Sequence, residues 1–278
     1  MIPRLMIRKE ALIMVEIKQI ARKKIMHLIR QHRSILSFPR DDYWNNGFLP
    51  DCSYYSIEKR KEIIGYFGVD PENVLIDYYV DRIKTVEPDV IFDEVIACMH
   101  IHTLYVESYD NPYFVMAVQK ALSTRVFFTL YEGINNPKIT HVLPNIDIKI
   151  ATEDDCAMLK DFYVKQKSDI DKEFLLWYVD NWVQNKGLYI FYQNNEICGV
   201  GELRLYPEEH ATGFLGVLVS EEKRHEGIGS YILSQMRLIA REKGLLPVCS
   251  SENLNPAADK TIRRSGFTPV HRIFKMHV

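Results

Sequence analysis

Residue types able to do chemistry concentrate in one stretch, Val217-Leu218-Val219-Ser220-Glu221-Glu222-Lys223-Arg224-His225-Glu226-Gly227-Ile228-Gly229-Ser230. The apolar run from Phe214 to Val219 reads as a buried strand, and a polar turn carries Arg224-x-x-Gly227-x-Gly229. Ile228, Ile232, Met236 and Ile239 then fall on one face at helical spacing. Strand, glycine-bearing turn and helix aim backbone N–H groups and the positive end of a helix at one point, which suits an anion such as a pyrophosphate. Glycine leaves room for close approach and tolerates unusual dihedrals, and Arg224 adds a fixed positive charge. A dinucleotide fingerprint would need a further leading glycine, and a P-loop would end in Gly-Lys-Ser/Thr. The plain alternative is a helix start that merely needs small residues.

Downstream come a short strand at 244–249, a helix opened by Asn255-Pro256-Ala257-Ala258, then Gly266-Phe267 and a last strand through Ile273 and Phe274. Val217-x-Val219, Arg224-x-x-Gly227-x-Gly229 and Asn255-x-x-Ala258, with Gly266-Phe267 eleven and twelve residues after the asparagine, resemble the GNAT superfamily of N-acetyltransferases. The resemblance covers about residues 146–278. It implies acetyl-CoA as co-substrate, with the pantetheine arm pairing like an extra strand along Val217, Leu218 and Val219. A backbone N–H at Leu218 or Val219 would polarise the thioester carbonyl. Arg224, His225, Glu226, Gly227, Ile228 and Gly229, continuing into Ser230, would hold the pyrophosphate, and Asn255 would meet the arm.

Acetyl transfer to an amine also needs a base, because an alkylamine is protonated at neutral pH. The candidates are Glu202, Glu208 and His210. Glu202 and Arg204 share a strand face by alternation, so a plain ion pair on a solvated face is the alternative there. Many family members carry a tyrosine seven residues after the asparagine that protonates the departing thiolate; here that position is Ile262. Ser251, Tyr206 or a water would then serve, or the thiolate leaves unprotonated, a free thiol having a pKa of only about 8.5.

Length and composition frame these residues. The 278 residues suffice for two modest domains. Hydrophobic content of 47% and charged content of 26% are those of a soluble globular protein. A net charge of −2 gives no whole-protein case for nucleic acid, and no apolar run is long enough to span a bilayer. The opening residues are not read as a secretion signal, since Arg8, Lys9 and Glu10 break their apolar stretch. The five cysteines, Cys52, Cys98, Cys156, Cys198 and Cys249, are scattered without a Cys-x-x-Cys, which fits reduced thiols in a cytoplasm and no zinc site.

The positioning elements follow in chain order. Residues 13–33 read as an amphipathic, basic helix carrying Ile17, Ile20, Ala21, Ile25, Leu28 and Ile29 on one face, packed on its own domain rather than on a membrane or nucleic acid. Tyr43 to Pro50 is a loop, and Ile57 to Phe67 reads as a second helix stopped near Gly68. Then come a strand at 74–78, a helix from Pro88 to Met99, a strand at 101–107, a helix from Asn111 to Leu122 and a strand at 125–131. His100-x-His102 lacks a third metal ligand and reads as two histidines in a half-buried strand. Residues 133–145 are a linker by their Asn, Gly and Pro content. The second domain opens with the alternating strand 146–150, a cap at Thr152 with Asp155, and helices near 157–165 and 172–184. Strands at 188–192 and 197–205 join through Asn194-Asn195.

The fold class is therefore α/β (α+β). An N-terminal α/β accessory domain covers 1–132, and a domain with a mixed, mostly antiparallel sheet covers 146–278. The order strand, helix, strand, helix, strand recurs in 74–131 and 214–276. The first half accordingly reads either as a reduced relative of the second that has lost its cofactor site or as an unrelated small α/β unit, for which strand and helix alternation is the commonest pattern. The functional expectation is a cytoplasmic N-acetyltransferase acting on a small-molecule or peptide amine, without metal, nucleic acid or membrane; whether it assembles into oligomers is not legible. The alternative is a non-catalytic acyl-CoA-binding sensor. Phe174, Trp177, Tyr178 and Trp182 wall the acceptor pocket or form plain core.

Overall fold

Two adjacent residues with positive φ, Arg60 at 51° and Lys61 at 69°, set how the N-terminal half begins. They turn β2 (Ser53–Lys59) back onto β3 (Glu62–Val69) as a tight antiparallel hairpin. The helix expected from Ile57 to Phe67 is thus two strands. Such turns ordinarily announce themselves by Asn or Gly, and Arg-Lys carries no such signal. The expected helix over 13–33 is also corrected. Glu16–Gln19 is a strand, β1, paired antiparallel with β2 from Glu16↔Glu58 to Gln19↔Tyr55, and only Met26–Ile35 forms the α-helix α1. A ladder partner distant in sequence overrides the local helical spacing there. Residues 13 and 14 lie outside the described residues. The computed structural model describes residues 15–41, 44–45, 49–85, 87–133, 143, 145–168, 170–206 and 211–278.

The chain forms two units, one of residues 1–129 with 271–278 and one of residues 130–270. The first continues with β4 (Leu75–Val80), α2 (Pro88–Met99), β5 (Thr103–Glu107), α3 (Asn111–Lys120) and β6 (Ser123–Gly133). His100 ends α2 in the left-handed conformation at φ 53°, so His100 and His102 precede β5 rather than sharing a strand. The strand order in this unit is β1-β2-β3-β4-β5-β12, where β12 is Phe267–His277. From His271 on, β12 belongs here, and it pairs antiparallel with β5 from Ile273↔Glu107 to His277↔Thr103. Ile57, Phe67, Tyr78, Phe92, Tyr113 and Met276 sit in its core.

A buried charge cluster lies where β4 and β5 separate. These strands are parallel, and their register holds at Leu75↔Leu104 alone. Arg40, 1% exposed, lies 3.3 Å from Asp77 of β4 and 3.1 Å from Glu107 of β5. Tyr109 donates to Glu107 at 2.8 Å, and His32 lies 2.7 Å from Asp110 and 2.9 Å from the Tyr66 hydroxyl. Burial alone would raise the Asp77 carboxyl, but Arg40 and His32 outweigh it and hold Asp77 below the usual carboxylate range. Burial keeps Glu107 above its usual value, with Arg40 opposing.

The second unit has the order β6-β11-β10-β9-β8-β7, taking in β6 from Leu130. Its strands are β7 (Ile146–Ile150), β8 (Leu188–Gln193), β9 (Glu196–Arg204), β10 (Thr212–Val219) and β11 (Leu246–Glu252). Its helices are α4 (Cys156–Gln166), α5 (Lys172–Gln184), α6 (Ile228–Glu242) and α7 (Pro256–Arg264). Thr152 and Asp155 form a reciprocal capping box ahead of α4, and Asn194 and Asn195, both at positive φ, turn β8 into β9. The sheet is antiparallel from β7 to β10 and parallel between β10 and β11. One core places Ile228, Ile232, Met236 and Ala240 of α6 against Phe191, Leu203 and Leu215. Another places Leu159 and Tyr163 of α4 and Val179 and Trp182 of α5 against Leu188, Ile190, Val200 and Leu218. Of the expected linker at 133–145, only Gly133, Leu143 and Asn145 lie within the described residues.

Removing one partner from a buried ion cluster strands the others. Arg40→Ala is expected to destabilise the first unit by about 3–5 kcal/mol, read as a shifted urea midpoint. The loss should shrink as pH falls from 7 into the carboxylate range. With Arg40 gone, burial raises Asp77 and Glu107 above their unfolded values, so proton uptake favours the folded state.

Candidate functional site

β10 pairs with β11 over only three residues, Thr212↔Leu246, Gly213↔Pro247 and Phe214↔Val248. Its other edge stays laddered to β9 as far as Val219↔Gly199. From Leu215 to Val219, therefore, the edge toward β11 has no strand partner among the described residues, and every second backbone N–H and C=O there is left to pair with something else. Val217, Leu218 and Val219 all lie on this stretch.

The strand runs into a 3₁₀ turn at Glu221–Lys223 and then into α6. His225 (φ 67°) and Gly227 (φ 86°) make the last bends before the helix. Gly227 is the N-cap and supplies no side-chain acceptor, so the first N–H groups of α6 are not capped by it. By contrast Asp171 caps α5, and the Asn255 Oδ1 caps α7 by accepting from Ala258 N at 3.0 Å. The two glycines differ in what they permit. A Cβ at Gly227 would meet open space, so the positive φ is the constraint there; a Cβ at Gly229 would lie 3.3 Å from Val219 Cγ2 and 3.4 Å from Thr261 Cγ2, so close packing is.

A cavity of about 210 Å³ lies over this helix start, lined by Leu143, His225, Glu226, Gly227, Ser230 and Arg264. Arg264 is the residue the sequence reading missed. It stands in the last turn of α7, where a cation is ordinarily taken as a complement to the helix dipole. Arg224 instead reaches Gln166 Oε1 at 3.5 Å. Ser230 turns its hydroxyl to Thr261 O at 3.4 Å, away from the cavity, and Ile228 is buried in the core at 1% exposure. An uncapped helix start, a positive-φ glycine and an arginine from a second helix together fit a phosphate-bearing ligand; among the described lining residues Glu226 is the one acid.

On the sheet's other face, Glu202 of β9 is 8% exposed. Its Oε1 accepts from Tyr163 at 2.6 Å, its Oε2 accepts from Tyr178 at 2.9 Å, and Arg204 pairs with Oε2. The expected Glu202–Arg204 pair is present, but beneath two tyrosines rather than on a solvated face. Burial, and then the Glu202 charge, push the Tyr163 phenol well above its ordinary pKa. Across the ladder Glu202 faces Gly216 of β10. A Cβ there would come within 2.6 Å of Arg204 Nη1 and closer still to Glu202 Oε2. The carboxylate thus lies against β10, one residue before Val217. Glu208 and His210 lie outside the described residues. Ile262 is buried in the core at 5% exposure, Ser251 lies 3.4 Å from the Tyr131 hydroxyl, and Tyr206 stacks edge-on to Trp182 and Phe214. Tyr131 itself donates to Asp259 at 2.5 Å.

Both halves of the chain match family models. Residues 21–132 match one described as an acetyltransferase (GNAT) domain, and residues 156–267 one described as the acetyltransferase (GNAT) family. Among solved structures, an acetyltransferase of the GNAT family from Colwellia psychrerythraea gives a TM-score of 0.86 at 22% identity, covering 94% of this chain and 99% of that one. A GCN5-related N-acetyltransferase from Sphaerobacter thermophilus gives 0.63 at 11% identity, covering 95% of each chain. A tandem GNAT protein from the clavulanic acid biosynthesis pathway gives 0.60 at 11% identity, covering 95% of this chain and 98% of that one. These likenesses concern the fold. No curated protein matches.

Gly216→Ala should force the Glu202 carboxylate and Arg204 to move. Overpacking of this kind typically costs about 1–3 kcal/mol. Thermal unfolding should register that loss, and a crystal structure of the variant should show Glu202 displaced from Tyr163.

Proposed function

The chain belongs to the GNAT superfamily of acetyltransferases and carries two GNAT domains, and from that premise we propose that its second unit transfers an acetyl group from acetyl-CoA directly to a primary amine. The observation that carries this reading is the parting of β10 from β11 beside an uncapped helix start. The free edge at Val217, Leu218 and Val219 takes the amides of the pantetheine arm, and an N–H of Leu218 or Val219 donates to the thioester oxygen as negative charge develops. The backbone from Arg224 to Ser230 takes the pyrophosphate, with His225 and Gly227 shaping the bend and Arg264 supplying charge. Asn255, whose Oδ1 caps α7, holds the segment that meets the arm. Acetyl-CoA supplies the activated acyl group; the residues of the chain orient it and receive the amine's proton.

Glu202, Glu208 and His210 remain the candidate bases. Glu202 lies against β10 through its contact with Gly216, and Tyr163, Tyr178 and Arg204 hold its carboxylate in place there. The acceptor is a small-molecule or peptide amine, and the cytoplasm is the expected compartment. Among the described residues no helix is long and apolar enough to cross a membrane.

The first unit takes no cofactor in this reading. Its own parting, between β4 and β5, is bridged by Asp77, Arg40 and Glu107. No Arg-x-x-Gly-x-Gly follows β4.

Calorimetry should therefore find one CoA bound per chain. Gly227→Glu should abolish binding by placing bulk and negative charge at the phosphates. Gly227→Asn, which tolerates the left-handed conformation without a charge, should retain most of the affinity. Two CoA per chain, or full affinity in Gly227→Glu, would refute this placement. Glu202→Gln should lower the acetylation rate by about 10²–10⁴ if it is the base, with CoA affinity kept and the deficit shrinking as pH rises toward the amine's own pKa. CoA binding without thiol release for any amine would identify the non-catalytic binder instead.

A further inference from the structure

We propose that Gln166, the last residue of α4, is a positioning residue for the cofactor. It fastens the turn between β10 and α6, so that the free edge of β10 and the uncapped start of α6 face one ligand. The proposal rests on the reading of the second unit as an acetyl-CoA-dependent N-acetyltransferase, and deepens it.

Past Phe214, β10 is laddered on one edge only among the described residues, to β9. It runs into Ser220, which makes no side-chain cap for the 3₁₀ turn Glu221–Lys223. The first N–H of that turn, from Glu221, donates instead to Gln166 Oε1 at 2.8 Å, 55 residues back in the chain. Arg224 Nη2 reaches the same oxygen at 3.5 Å. These two donors orient the amide. Turned over, it would set its own N–H groups against a backbone N–H and a guanidinium. Lys165 also reaches the turn, 2.6 Å from Glu222, but the two side chains are 63% and 61% exposed. An ion pair so open to water adds little, which leaves Gln166 as the contact that fixes the turn.

The same helix holds the strand further back. Tyr163 stands three residues before Gln166, on the same side of α4. It donates to Glu202 Oε1 at 2.6 Å, and Glu202 lies against Gly216. Tyr163 and Leu218 also share one core cluster. α4 therefore grips β10 beside Gly216 and the turn at Glu221, on either side of Val217, Leu218 and Val219. A turn left loose would have to be ordered at the moment of binding, and that ordering is subtracted from affinity. The amide adds little to the fold itself. Gln166 Nε2 is buried without a hydrogen-bond partner among the described residues, and an unmet buried donor costs about as much as one good hydrogen bond contributes. Removing the amide thus takes away one bond and one unmet donor together.

Three variants of the full chain test this. Gln166→Met fills similar space without polar atoms, Gln166→Glu keeps an oxygen for the Glu221 N–H, and Lys165→Ala removes only the exposed ion pair. CoA affinity is read by calorimetry, Glu221 amide exchange by NMR without CoA, and stability by thermal unfolding. Gln166→Met should weaken CoA binding by about tenfold and speed exchange at Glu221, while its Tm stays within about 3 °C of the native value. Gln166→Glu, measured in about 0.5 M salt to screen its charge, should recover most of the affinity and the slow exchange. Lys165→Ala should match the native chain in all three readouts. Unchanged CoA affinity in Gln166→Met would overturn the proposal. So would Gln166→Glu binding as weakly as Gln166→Met, or a loss of affinity in Gln166→Met that comes with a large fall in Tm, since the side chain would then serve the fold at large. Failure of the native chain to bind CoA would refute the acetyltransfer reading, while exchange at Glu221, measured without CoA, would still decide whether Gln166 holds the turn.

Discussion

Three register pairs join β10 to β11 before the strands part, and everything at the site is arranged around that short ladder. A parallel pair that ends early leaves backbone donors and acceptors on an inner strand, where sheets normally satisfy them. β10 keeps its line because its other edge remains laddered to β9. Helix α6 holds it from beneath. A Cβ at Gly201 would lie 2.5 Å from Met236 Sδ, so the absence of a side chain lets α6 lie close under the sheet. Close packing of α6, closed again at Gly229 against Val219, brings the helix start to the end of β10. The free strand edge and the uncapped N–H groups are therefore consequences of one packing arrangement.

The same ladder geometry places a buried carboxylate in each unit, on opposite strands of the equivalent pair. In the second unit Glu202 of β9 faces Gly216 of β10. In the first, Asp77 of β4 faces Gly68 of β3. A carboxylate removed from water needs a counter-charge and donors, and the two units find them differently. Glu202 uses Arg204, two residues along its own strand, together with the hydroxyls of Tyr163 and Tyr178. Asp77 uses Arg40, which also engages Glu107. His32, Arg40, Asp77, Glu107 and Asp110 are all at most 1% exposed. A duplicated scaffold thus carries a buried carboxylate with its own counter-charge in each copy, 8% exposed in the second and sealed at 1% in the first. The sealed copy spends its ion pairs on holding β4 and β5 in place.

Legibility from sequence followed the range of the interaction. The helices Pro88–Met99 and Lys172–Gln184 and the strand Ile146–Ile150 were read at their observed limits, since periodicity, Pro at a helix start and alternation are local signals. The Asn194-Asn195 turn and the Thr152–Asp155 box were legible because their chemistry lies in adjacent residues. The hairpin at Arg60-Lys61 was not, because its turn lacks glycine and asparagine and is held by the strands around it. β1 was hidden inside a helical spacing of isoleucines that a ladder with β2 overrode. At the site, Gly227 and Gly229 could be named from their spacing. Arg264 could not, since a basic residue ending a helix looks like any other.

The sequence by itself determined the order of strands and helices in the second half, the glycine-bearing turn between β10 and α6, and the asparagine that caps α7. Each is written within a few neighbouring residues, where dihedral preference and side-chain reach are decided. Tertiary structure alone decided which strand completes each sheet, that the end of β12 pairs with β5, that Arg40 closes one parting of strands, and that Tyr163 and Tyr178 cover Glu202. Ladder partners and counter-charges are drawn from the whole folded chain, and no local pattern records which distant residue will satisfy a buried N–H, carbonyl or carboxylate.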